Sequence, residues 1–158
     1  CMRLLLRQQP VASDLRFISA AMKVVTDVER IGDHAADIAE IVPHLAGVRK
    51  AGDPAVSRSI EMGRKAHKML QDAMSAFAAE DEAAAKAVID ADDAVDYDFN
   101  SIKRMLAAEI AADPSKVDAA LDVLMVIKYL ERIGDHAVNI AEWVEFLRTG
   151  RYHHEKMF

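Results

Sequence analysis

The sequence predicts an all-α fold of up-and-down three-helix bundles in tandem, the first incomplete, and three observations predict it. A twelve-residue signature occurs twice, as ERIGDHAADIAE over Glu29–Glu40 and ERIGDHAVNIAE over Glu131–Glu142, 102 positions apart with ten of twelve residues identical. A repeat at long period marks a duplicated structural unit. Apolar residues recur at alternating steps of four and three through both copies, the period of an inward helix seam. Hydrophobic residues make up 52% of the chain, while Gly and Pro number six and four, which leaves little room for a turn-rich β fold.

The elements follow in order. Cys1–Gln8 reads as the tail of a helix stopped by Pro10, which lacks a backbone donor and biases Gln9 toward extended geometry. A long helix then starts with Ser13 as N-cap and runs to about Ala46 on the seam Phe17, Ala21, Val24, Val28, Ile31, Ala35, Ile38, Val42 and Leu45, with Gly47 and Gly52 ending it and Pro43 disturbing its last turn. Asp53-Pro54 starts a second helix to Ala79, with an apolar stripe of Val56, Ile60, Gly63, His67, Leu70, Met74 and Phe77. After a break at Glu80 and Asp81, a third helix runs from Glu82 to about Ala111 on Ala84, Val88, Ala91, Val95, Phe99, Ile102 and Leu106. Asp113-Pro114-Ser115 makes the last turn. The fourth helix runs from about Lys116 to Leu147 and stops at Gly150. The organisation read from this is the end of a first repeat over 1–50, a complete three-helix repeat over 53–148 and a tail over 149–158. By the repeat, the first unit would begin about 50 residues before Cys1.

Composition narrows the function. Twenty-six acidic and 20 basic residues give a formal net charge of −6, which disfavours sequence-independent binding to nucleic acid or anionic lipid. The longest run without Asp, Glu, Lys or Arg is Ile41–Val48, far short of the roughly 20 apolar residues of a membrane helix, although peripheral association is left open. Cys1 is the only cysteine, so no internal disulfide forms, and no signal segment is evident. A cytoplasmic protein fits these features. An apolar seam over 17–45 that is short of partners predicts a dimer or swapped oligomer.

The carboxylates carry the chemistry. Glu29 and Asp33 lie four apart, as do Glu131 and Asp135, so each pair projects from one helix face. Asp92 occupies the apolar seam of the third helix between Val88 and Val95, and Asp96 follows on the same face. An unpaired buried carboxylate costs several kcal/mol, roughly, or protonates. The spacing therefore sets Asp92 and Asp96 against Glu131 and Asp135 on the antiparallel fourth helix, with no Lys or Arg on that seam and Arg132 pointing away. All-oxygen donors suit a hard cation. His34 and His136 follow the acids and read more readily as core or hydrogen-bonding histidines than as ligands, and His67 reads as a core histidine. Gly32 and Gly134, between the acids, suggest close approach by another helix or a ligand.

RQQPVASDLRFI at Arg7–Ile18, DVERIGDHAADIAE at Asp27–Glu40 and YLERIGDHAVNIAE at Tyr129–Glu142 resemble the PhoU family of phosphate-signalling regulators over essentially the whole chain. The resemblance implies two similar three-helix bundles and multinuclear metal sites formed by paired acidic motifs. Carried over by position, these fall on Asp92, Asp96, Glu131 and Asp135 in the complete bundle and on Glu29 and Asp33 in the other. Asp37 and Asn139, at corresponding positions, and His34 and His136 would be outer partners or further ligands. Iron, manganese, magnesium and zinc are all compatible with this reading. The resemblance further implies a cytoplasmic, frequently dimeric (homodimer) protein that negatively regulates phosphate uptake and the phosphate-starvation response, acting between a phosphate transporter ATPase and a sensor kinase. The motif match, the inward carboxylates and the lack of a nucleophile-and-base constellation in the sequence point to a regulator without turnover of its own. The rival is a di-metal carboxylate oxidase or hydrolase. Such bundles use Glu-x-x-His, whereas each histidine here follows its glutamate by five residues.

Overall fold

Caps written into the sequence set most of the helix boundaries. A computed structural model describes residues 12–50, 52–152 and 155–156. They form α1 (Ala12–Ala46), α2 (Pro54–Ala79), α3 (Glu82–Ala112), a 3-10 turn (Pro114–Lys116) and α4 (Val117–Thr149), followed by a minimal antiparallel hairpin of β1 (Arg151–Tyr152) and β2 (Glu155–Lys156). Asp53 caps α2 by accepting from the Ala55 and Val56 N–H groups at 2.8 and 3.2 Å. Asp81 caps α3 by accepting from Ala84 N–H at 3.0 Å. Between them Glu80 turns the chain at φ 52°, and Gly150, at φ 70°, ends α4. Ser13 already lies within α1 and is not its N-cap. The expected stub over Cys1–Gln8 lies outside the described residues.

Helix α4 packs against all three other helices. It accordingly buries residues on several faces, among them Val123, Ile127, Ile133, Ala137, Ile140, Val144 and Phe146. From α3 the core takes Val88, Val95, Ile102 and Leu106. From α2 it takes Ala55, Ser59, Met62, Ala66, Met69, Ala73 and Ala76. This corrects the expected α2 stripe by one position. His67 is exposed rather than a core histidine, and Ile60 and Met74 are 52% and 40% exposed. Small alanines bring α2 close to its neighbours, and the bulkier residues beside them fall at the edge of the core.

Helix α1 lies antiparallel along α4 through alternate members of its expected seam. Val24 and Ile31 are buried and Ile38 and Leu45 half-buried, while Phe17, Val28 and Val42 are 47%, 41% and 50% exposed. Phe17 still meets Phe77 at 6.2 Å between ring centroids. The hairpin, which no sequence signal marks, lays Tyr152 on Trp143 with ring centroids 3.9 Å apart.

Because Ile140 is fully buried, Ile140→Ala should cost about 2–5 kcal/mol. Val25→Ala, at a position 65% exposed, should stay within about 0.5 kcal/mol. Urea denaturation midpoints of the two variants check the contrast.

Candidate functional site

Two antiparallel helices bring the second acidic motif together. Gly134 is buried on α4, and a Cβ there would stand 3.3 Å from Asp92 Oδ1 and 3.6 Å from Val95 Cγ1. Its missing side chain lets α3 approach, as the mid-helix glycine suggested. Asp92, Glu131 and Asp135 are half-buried and Asp96 is exposed. Burial, then the charges of Asp96, Asp135, Asp93 and Glu131, pushes the Asp92 carboxyl up to about 6. Asp135 is also raised, by burial first and then by Glu131, against the opposing charges of Arg132 and Lys128. The four acids thus share one electrostatic field.

The expected absence of basic neighbours is wrong. Lys128 lies three residues before Glu131 on the same helix face, and its Nζ pairs with Glu131 Oε2. The same Nζ lies 5.3 Å from the centre of the Phe99 ring. Arg132 does not point wholly away, since its Nη1 comes within 3.7 Å of Asp135 Oδ2. Among the described residues, no three His, Cys, Asp or Glu side chains converge as a ready metal site. The donor set has the chemistry for a hard cation, but Lys128 occupies part of it.

The first motif faces outward. Glu29 and Asp33 are exposed, Arg30 Nη1 lies 3.9 Å from Asp33 Oδ2, and a Cβ on Gly32 would meet nothing within 4 Å. The histidines turn from the acids toward the α1–α4 crossing. His136 Nδ1 lies 2.9 Å from Asp27 Oδ1, which also accepts from Asn139 Nδ2 at 3.1 Å. His34 stacks on Tyr129 at 5.5 Å and lies 5.7 Å from the His136 ring. Its Nδ1 is 3.8 Å from Asp37 Oδ2, beyond hydrogen-bonding distance. Asp27, Lys128 and Tyr129 were missed as site-shaping residues. Lys128 alone had a local signal, its spacing from Glu131.

The PhoU domain model matches residues 1–42 and 60–144. The phosphate-specific transport system accessory protein PhoU homolog of Pseudomonas aeruginosa is 40% identical over 152 residues, covering 95% of this chain and 62% of that protein. Its namesake in Clostridium acetobutylicum is 40% identical over 150 residues, covering 94% and 68%. The chain thus spans less than two thirds of the Pseudomonas aeruginosa relative. The crystal structure of PhoU from Pseudomonas aeruginosa is similar with a TM-score of 0.89 and 38% identity, covering 96% of this chain and 72% of that one. That of the phosphate transport system regulatory protein PhoU from Streptococcus pneumoniae has a TM-score of 0.84 and 30% identity, covering 96% and 70%.

The raised Asp92 carboxyl gives the metal-free protein a signed pH dependence. Between its ordinary 3.8 and about 6, the folded form holds a proton that the unfolded form releases. Stability should therefore fall as pH rises through that window and stay lower above it. In chelator, Asp92→Asn should flatten this decline and raise the urea midpoint at pH 7.

Proposed function

The chain belongs to the PhoU family, and on that premise we propose that it is a metal-containing regulator of cellular phosphate homeostasis, restraining phosphate uptake and the starvation response. The observation that carries this reading is the acidic cluster of Asp92, Asp96, Glu131 and Asp135 on two facing helices, where burial and then the neighbouring charges raise the carboxyl of Asp92, in a protein whose relatives are named as accessories of phosphate transport. In this reading the protein works in the cytoplasm as an adaptor between a transporter ATPase and a sensor kinase, without turnover. Residues 1–50 contribute the end of one repeat and 53–148 a complete second one. Self-association covers the exposed apolar residues of α1, Val25 and Val28 among them.

The four acids would hold a hard cation, which supplies positive charge to offset their repulsion. Lys128 would swing from Glu131 to admit it. Glu29 and Asp33, which face no second acidic pair among the described residues, would bind more weakly.

Two measurements test the proposal. Elemental analysis after anaerobic loading should find iron, manganese or another hard cation in the wild type and little in Glu131→Gln/Asp135→Asn, while full metal retention by the double variant would remove the site. Deleting the gene should uncouple transporter expression from phosphate supply, and a normal response would overturn the regulatory role.

A further inference from the structure

Lys128 is a cation already standing on one of the four acids. Its Nζ pairs with Glu131 Oε2 and lies 5.3 Å from the centre of the Phe99 ring, which Lys103 Nζ approaches to 5.1 Å. The Glu131 side chain is only 15% exposed, against 40% for Lys128, so the carboxylate has little water to replace the ammonium when the pair opens. The same charge opposes the rise of the Asp135 carboxyl, which places two of the four acids in the field of Lys128. Phe99 gives the ammonium a second hold, the attraction of a cation to a ring face within about 6 Å. Nζ therefore leaves Glu131 without losing every favourable contact.

We propose that Lys128 is the internal competitor of the cation site: it and a metal ion exclude one another on Glu131, which closes that carboxylate to monovalent ions and sets the affinity of the cluster for multivalent ones. The inference rests on the reading of Asp92, Asp96, Glu131 and Asp135 as a cation site. With Lys128 and Arg132 in place, the ionised cluster keeps two formal negative charges. A sodium or potassium ion that displaced Lys128 would exchange one positive charge for one. It would also compete from free solution against an ammonium tethered three residues from its carboxylate. A divalent ion brings one charge more than it displaces. Arg132 does not act in the same way, because it and Asp135 are 54% and 42% exposed and solvate freely when they part. Linkage makes the exclusion reciprocal: a bound ion weakens the Lys128–Glu131 pair by the factor by which that pair weakens the ion. The loaded protein thus presents a free ammonium beside the site, where the empty protein presents an ion pair.

Titration calorimetry of manganese(II) into the chelator-treated whole chain tests the competition. Lys128→Met keeps the stem beside Phe99 and removes the charge, and it should bind manganese at least about tenfold more tightly than the wild type. Lys128→Arg, which keeps a charge, should gain nothing. Neither should Lys103→Met, which alters the other cation at the same ring. Replacing tetramethylammonium by potassium at constant ionic strength should weaken manganese at least about threefold in Lys128→Met and leave the wild type unchanged. Acetylation of the wild type under limiting reagent, read by peptide mass spectrometry, should rise at Lys128 relative to Lys103 on manganese loading, a readout that needs no variant to fold. Equal affinities of the wild type and Lys128→Met, or Lys128 acetylation unchanged on loading, would overturn the inference and leave the metal site standing. Manganese bound by neither protein would remove the site itself, and the inference with it.

Discussion

Repulsion among Asp92, Asp96, Glu131 and Asp135 is opposed by packing on the same two helices. Val88 and Val95 flank Asp92 along α3, and Ile133 and Ala137 flank Gly134 on α4, all of them buried. Full burial of a Val or Ile side chain contributes about 1.5–3 kcal/mol, whereas a like-charge pair at helical spacing costs only a few tenths, roughly, on a solvated face. Packing therefore decides the positions of the helices and the acids accept them. The consequence appears in protonation, because burial and then the enforced proximity of the other acids make Asp92 hold its proton to about pH 6.

The duplicated signature has two uses at once. Adjacent residues on a helix are separated by about 100°, so Asp135 can face α3 while His136 faces α1. There His136 and Asn139 meet Asp27, and His34 of the first copy stacks on Tyr129. Asp27 and Tyr129 precede the two signatures at equivalent positions, so the crossing joins like places in the two copies through unlike chemistry. One half is a hydrogen-bonding contact to a carboxylate and the other an aromatic stack. The histidines thereby help to position α1 and are turned away from the carboxylates.

Helix number, order and approximate ends were legible because Asp53, Asp81 and Gly150 carry local signals that the fold obeys. The facing acids were legible for a similar reason, since Asp92 interrupts an apolar run whose period is otherwise regular. What could not be read was which of two neighbouring stripes on α2 turns inward. Alanines at 55, 66, 73 and 76 look neutral in sequence, yet they are the buried face because they permit close helix approach. The seam of α1 failed in a related way: its period was right, but α4 covers only part of it. Lys128 was overlooked because a residue off the seam was treated as unable to reach it, although a long flexible side chain three residues from Glu131 does so.

The balance of charge explains why the second cluster differs from an ordinary acidic helix face. Lys128 and Arg132 each reach one carboxylate, Arg132 at a longer distance and in a more exposed setting. Four acids against these two bases leave two formal negative charges when all are ionised. Protonation of Asp92 relieves one of them, but only below about pH 6. At neutral pH the site therefore carries an excess that its own side chains do not cancel. A divalent cation has the charge to cancel it, and oxygen-only donors suit a hard ion of that kind. Among the described residues no side chain comes within 4 Å of a Cβ placed on Gly32, and Glu29 and Asp33 beside it are exposed. In the second copy the pressure on the carboxylates follows from the helix that packs opposite Gly134, where a Cβ would stand 3.3 Å from Asp92 Oδ1.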